Sequence, residues 1–177
     1  MVAAYLYLEA AQTGFFGRGF GSVPLGAEGA IDLSGESGRR RIAPLDASDE
    51  RQMRLQRGAV DELARRHVGT PISGGGTEDL RILQQLLDQH VLKRDQVYEL
   101  QALGVVLGDV MVAQLGYSWV VVQDEIGRSR ALRFADSDTL VFPVTMISKR
   151  VEKDIHFGVS ELYAKAETLA SRGGKLE

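Results

Sequence analysis

The stretch from Ala102 to Leu115 constrains the fold more than any other part of the chain. Its single charged residue is Asp109, and its apolar side chains lie all the way round a helix of 3.6 residues per turn. Such a helix must be surrounded by other elements. Gly104 and Gly108 share one face, where the missing side chains let another backbone approach closely. We therefore predict a central, largely buried helix over residues 95–115.

Two further helices are predicted before the central one. Asp46 or Ser48 is suited to cap the first, which ends at Gly69, in the position of a left-handed C-cap, with Pro71 just beyond. Thr77 is suited to cap the second. The apolar stripe of this second helix recurs at helical spacing and consists of Leu80, Leu83, Leu87 and Val91.

Strand patterns follow the central helix. Residues 117–123 and 128–134 are separated by a tight turn, and residues 139–142 make a third strand. Residues 155–159 are suited to a further edge strand, and Ser160 to the cap of a C-terminal helix. Short consecutive strands with tight connections favour an antiparallel meander. The predicted class is α+β, with three N-terminal helices packed on a three- to four-stranded antiparallel sheet, plus the C-terminal helix.

Composition divides the chain of 177 residues near residue 45. Eight of its 20 glycines fall between residues 14 and 38, and each glycine is costly in conformational entropy to order. Residues 1–45 are therefore predicted to be a Gly-rich N-terminal leader that is loop or partly disordered. Residues 46–172 are predicted to form a single α+β domain, a usual size for one hydrophobic core.

Charge and cysteine content exclude several functional classes. The formal net charge is −3, which gives no electrostatic reason to expect nucleic acid or an anionic membrane as a partner. Cysteine is absent, so disulfides, thiolate metal sites and cysteine nucleophiles are excluded. No apolar run approaches the ~20 residues that span a bilayer. We expect a cytoplasmic protein without cofactor or metal, because no phosphate-binding, dinucleotide-binding or metal-ligand motif is present.

Asp109 is the one candidate for catalysis. A carboxylate inside an apolar helix is costly to bury unless it is paired or hydrogen-bonded. It can be an acid–base group in a cleft between helix and sheet. Alternatively, it is a structural partner of Lys149, Arg150 or the indole N–H of Trp119. The sequence leaves both interpretations open.

Five residues are candidates for binding. Arg128 and Arg130 share one face of the second strand, and Lys149 and Arg150 follow the third strand. If these four side chains converge, they form a basic patch suited to a carboxylate, a phosphate or an acidic partner. The alternative is that they are scattered solubilising charges. Trp119, the only tryptophan, is suited either to anchor an interface or to fill the core.

Several motifs together resemble an uncharacterised bacterial family, domain of unknown function 3806. The resemblance covers roughly residues 50–165 and implies an α+β domain, with no established activity to carry over. The motifs that carry it are residues 80–88, 103–110, 116–122, 142–150 and 161–163.

Two functional hypotheses follow. The first is a non-catalytic binding module of immunity or regulatory type, which docks on a protein partner through its basic and aromatic residues. A homodimer through a sheet edge is compatible with this hypothesis. The second is a small-molecule-binding protein or a hydrolase-type enzyme that uses Asp109 in a helix–sheet cleft.

Overall fold

The structure, a computed structural model, describes residues 40–125 and 127–173. Within these ranges it contains five helices and one four-stranded sheet. The helices are α1 (Ala47–His67), α2 (Glu78–Asp88), α3 (Val97–Leu115), α4 (Pro143–Glu152) and α5 (Val159–Gly173). The strands are β1 (Arg41–Pro44), β2 (Tyr117–Asp124), β3 (Gly127–Phe134) and β4 (Leu140–Val141).

The sheet has the order β1-β2-β3-β4, and each neighbouring pair is antiparallel. The predicted hairpin is present, with Trp119 opposite Leu132 and Val121 opposite Arg130. Because side chains alternate along a strand, these four residues share one face of the sheet. It is the face that the helices cover. The predicted α+β class, with an antiparallel sheet and a C-terminal helix, is confirmed.

The fourth strand is not where the sequence pattern placed it. Residues 155–158 have no regular structure, and Val159 already begins α5. The fourth strand is instead β1, which pairs with residues 120–123 of β2. β1 falls in the predicted leader, whose residues 1–39 lie outside the described ranges. The glycines that marked the leader end at residue 38, and the partner of β1 is too distant in sequence for a local pattern to reveal it.

Helix α3 occupies the centre of the core, as predicted, and α1 and α4 pack most extensively against it. A Cβ added at Gly104 would lie 2.3 Å from the carbonyl oxygen of Pro143 in α4. One added at Gly108 would lie 2.3 Å from Cζ2 of Trp119. These two glycines therefore let the α4 backbone and the indole ring approach the axis of α3. By length and composition α3 could cross a membrane, but 56% of its apolar stretch is buried, as in a core helix.

The predicted helix ends are confirmed for α1. The side chain of Asp46 accepts hydrogen bonds from the backbone N–H groups of Ser48 and Asp49, and the Asp49 side chain accepts from the Asp46 N–H. This reciprocal arrangement is a capping box. Beyond the other end, Gly69 has φ 76°, the left-handed conformation expected there.

The predicted cap of α2, Thr77, is confirmed in its position, but its side chain makes no capping hydrogen bond. The carboxylate of Asp79, fully buried, instead accepts from the N–H groups of Ser73, Gly74 and Gly75, at 2.6, 3.1 and 3.0 Å. A loop of this kind can bind an anion, and here the chain's own carboxylate already fills it.

Candidate functional site

Asp109 is engaged by three hydrogen bonds. Arg57 of α1 donates from Nε to Oδ2 at 2.6 Å and from Nη2 to Oδ1 at 2.7 Å. The indole Nε1–H of Trp119 donates to Oδ1 at 3.0 Å. The Asp109 side chain is 14% exposed. The hydrogen bond with Asp109 also raises the pKa of the Arg57 guanidinium, so Arg57 stays charged.

Of the partners proposed for Asp109, the structure places Trp119 beside it, and not Lys149 or Arg150. Sequence reasoning missed Arg57, which lies 52 residues away. A signal was available, since Arg57 follows Met53 by four residues and is in register with the buried stripe of α1. An arginine on the apolar face of a helix needs a carboxylate as its partner. Asp109 is the only carboxylate in the apolar stretch of α3.

Arg128 joins strand β3 to the first turn of α1. Its guanidinium donates to Oδ1 of Asp49 at 2.7 Å and to Oδ2 of Asp46 at 2.9 Å, and it also contacts Oδ2 of Asp49. The Asp49 side chain is only 4% exposed. The hydrogen bond from Arg128 holds the pKa of the Asp49 carboxyl below its ordinary value of 3.8, against the opposing effect of burial.

Arg130 also points from the sheet toward α1. Its Nη1 donates to Oε1 of Gln56 at 2.8 Å, and the Gln56 side chain has no exposed surface. Burial lowers the pKa of the Arg130 guanidinium, and the nearby Asp49 carboxylate opposes this effect. We call the polar contacts between α1, α3 and the sheet the polar seam. Its members are Asp46, Asp49, Gln56, Arg57, Asp109, Trp119, Arg128 and Arg130.

The other two binding candidates lie on α4, in a basic groove. This groove lies between α4, the start of α5 and residues 153–158, which connect them, and its volume is about 200 Å³. Apolar side chains at its base are those of Phe142, Met146, Phe157 and Leu162. The remaining lining residues are Thr145, Lys149, Arg150, Lys153, Ile155, His156, Glu161 and Lys165. The structure therefore does not bring the five candidates together.

Charge in the basic groove is strongly one-sided. Lys149, Arg150, Lys153 and Lys165 are cations, and among the lining residues within 40–125 and 127–173 Glu161 is the single carboxylate. Lys149 and Lys153, the C-cap residue of α4, are four residues apart, so they lie on the same side of the helix end. The groove thus concentrates positive charge on a chain whose net charge is −3.

Two contacts hold the walls of the basic groove. Nη1 of Arg150 donates to the carbonyl oxygen of Met146 at 2.7 Å, one turn earlier in α4. Arg94 and Asp154 form an exposed ion pair of 2.5 Å at one end of the connection. Ile155 in this connection is 47% exposed. Sequence reasoning missed Lys153, His156 and Lys165. The C-cap of α4, the connection and α5 bring these residues to the groove that Lys149 lines. The four-residue spacing of Lys149 and Lys153 was the one sequence signal, and it pointed to Lys153 alone.

Chemically, the basic groove is suited to binding an anion that carries apolar groups. Cations supply attraction for carboxylate or phosphate oxygens, and the apolar base can bury hydrocarbon. Asp109 does not line the groove. Among the described residues, no group of three or more His, Cys, Asp or Glu side chains is arranged to hold a metal ion.

Comparisons with known proteins agree with the resemblance seen in the sequence. Residues 79–163 match the family model described as domain of unknown function (DUF3806), a narrower span than the 50–165 expected. A crystal structure from Bacteroides thetaiotaomicron VPI-5482 at 1.50 Å resolution is similar, with a TM-score of 0.67 and 19% identity. The match covers 75% of this chain and 49% of that one, so this chain spans about half its length. At such identity the likeness shows the fold alone. No curated protein matches the chain.

Proposed function

We propose that the protein, whose residues 79–163 match the family model of domain of unknown function 3806, is a non-catalytic binding module that docks on an acidic segment of a protein partner. The basic groove carries this proposal, because it combines four cations with an apolar base. Docking on one partner is the mode of action of immunity and regulatory proteins.

Charge complementarity favours an acidic partner segment. Lys153, the C-cap residue of α4, and Lys165, on α5, are exposed and line the same groove. A segment with two or more carboxylates can therefore contact both walls at once. Opposite charges across an interface raise the rate of association and discriminate against basic partners. Such binding weakens with salt, since exposed charges are screened over about 8 Å at physiological ionic strength.

Groove size favours a protein segment over a metabolite. A volume of about 200 Å³ is below the roughly 300–1,000 Å³ of sites that enclose small-molecule ligands. It accommodates one or two side chains of a segment whose remainder stays outside. A hydrolase-type function of Asp109 has less support, because its carboxylate is paired with Arg57 and Trp119 and lies outside the groove.

Titration calorimetry with a synthetic peptide tests this proposal. The probe is a capped peptide in which glutamates alternate with leucines, and its partner probe has glutamine at every glutamate position. We expect the acidic peptide to bind, and the double variant Lys153→Glu/Lys165→Glu to weaken binding at least tenfold. Arg54→Glu is the matched control, an exposed cation on α1 away from the groove, and should bind like wild type.

Three results would contradict the proposal. They are the absence of binding to the acidic peptide, equal binding of the glutamine peptide, and equal loss of affinity in the Arg54→Glu control. If inorganic phosphate binds at the groove and the peptide does not, the ligand of the groove is a small anion and not a protein segment.

A further inference from the structure

One part of the polar seam has more hydrogen-bond donors than acceptors. The Nε2 group of Gln56 is buried and has no hydrogen-bond partner, while its Oε1 accepts from Arg130. An unsatisfied buried donor of this kind is rare in folded proteins and needs an explanation. The amide orientation is set by the guanidinium, which can only donate, so exchanging the oxygen and nitrogen of the amide would not remove the problem.

Arg130 adds to this excess of donors. A guanidinium has five N–H donors, and the contact with Gln56 is neutral rather than ionic. The carboxylates nearby are already occupied. Asp49 accepts from Arg128, and Asp109 accepts from Arg57 and Trp119. Within the described ranges, Arg130 is therefore the one arginine of the polar seam without a carboxylate hydrogen-bonded to it.

Of the two residues in this contact, Arg130 is the one that solvent reaches. Its side chain is partly exposed, whereas that of Gln56 behind it is fully buried. A ligand thus meets the guanidinium first and the amide second. Because Gln56 is held by one hydrogen bond, turning its amide toward an entering oxygen breaks no second contact.

We propose that Arg130 and Gln56 form a site for a small carboxylate, with one oxygen accepting from the guanidinium and the other from the Nε2 group. This site is separate from the basic groove. A carboxylate fits better than a phosphate, because the flanking Arg57 and Arg128 are neutralised by aspartates and leave one unpaired positive charge. The carboxylate can come from free acid or from the side chain of a partner, and both present the same two oxygens.

Side-chain NMR with acetate as the probe tests the site. Sodium acetate replaces sodium chloride at constant ionic strength, and the ¹⁵N resonances of Gln56 Nε2 and Arg130 Nε are followed. We expect saturable shifts of both resonances in the wild type. Gln56→Leu should weaken acetate binding about tenfold at Arg130, since a hydrogen bond to a charged group is lost. Gln52→Leu, one turn earlier in α1, is the control and should bind like wild type.

Two outcomes would overturn the proposal. One is the absence of any acetate-specific shift at Gln56 in the wild type. The hydrogen-bond partner of the Gln56 amide would then be a buried water and not a carboxylate. The other is unchanged acetate affinity in Gln56→Leu while its circular dichroism shows the native fold. Acetate competition by a glutamate-containing peptide, absent with its glutamine analogue, would identify the source as a partner side chain. Acetate binding without such competition would identify it as a free acid.

Discussion

The polar seam and the basic groove both contain several cations, but the fold treats these cations differently. In the polar seam, Arg57 and Arg128 have aspartate partners, and Arg130 is held by a buried glutamine. In the basic groove, the lining residues include four cations and one carboxylate above an apolar base. Charges neutralised within the chain hold elements together, whereas Lys153 and Lys165 of the basic groove are exposed at the surface. The candidates predicted as one patch therefore belong to two separate regions.

The largest effect on the free energy of unfolding is expected for a substitution where α4, which carries the groove, meets α3. A Cβ at Gly104 would lie 2.3 Å from the Pro143 oxygen and 2.8 Å from Cα of Val144, both backbone atoms. We expect Gly104→Ala to lower the free energy of unfolding by about 3 kcal/mol, despite a gain of about 1 kcal/mol in helix propensity. Urea denaturation measures this. Gly58→Ala on α1, where a Cβ meets nothing within 4 Å, should instead stabilise.

Asp109→Asn tests the role assigned to the polar seam. The neutral amide cannot pair with Arg57 and leaves a partly buried guanidinium without its anion. We expect a loss of about 2 kcal/mol in the free energy of unfolding. Lys153→Glu in the groove should change it by less than about 0.5 kcal/mol. Equal effects of the two substitutions on chemical denaturation would remove the distinction between the regions.

Acid sensitivity is expected to come from Asp49. Its folded-state pKa lies below the ordinary value of 3.8, chiefly because of the Arg128 hydrogen bond. The stabilisation is therefore fully present above about pH 3.8 and is lost as the pH falls through the folded-state pKa. Arg128→Gln should lower stability by about 1 kcal/mol at pH 6 and by much less at pH 2.5. Denaturation at both pH values checks this; an identical loss at each pH would be the contrary result.

The smallest effect on the free energy of unfolding is expected for a substitution at Gln56. Leucine removes the unpartnered Nε2 donor but also the acceptor of Arg130, whose partly exposed side chain can turn to water. The two changes oppose each other, so Gln56→Leu should alter the free energy of unfolding by less than about 0.5 kcal/mol in chloride. A loss above about 2 kcal/mol, measured by thermal denaturation, would make Gln56 a structural residue of the seam.

Local patterns were sufficient to predict most of the fold. The apolar stretch of α3, the capping box begun by Asp46 and the positive φ at Gly69 all depend on residues close in sequence. Ile155 and Phe157 show why the same logic failed nearby. Their alternation with polar residues favoured an edge strand, but both side chains line the basic groove instead.

The candidate sites were harder to predict, because their contacts are distant in sequence. Asp109 was singled out and Trp119 was named as a possible partner, yet Arg57 was not, although its spacing from Met53 places it on the apolar face of α1. Lys149 was grouped with Arg128 because it follows the third strand in the sequence. As a helix beginning at Pro143, α4 directs Lys149 toward α5 and away from the polar seam.

Chemical-shift mapping of the acidic peptide on ¹⁵N-labelled protein tests the central claim most directly. We expect saturable shifts in the backbone amides of residues 145–157 and at the start of α5, with the amides around Arg57 and Asp109 unchanged. Shifts confined to the polar seam, or no saturable shifts at the basic groove, would contradict the assignment of binding to the groove.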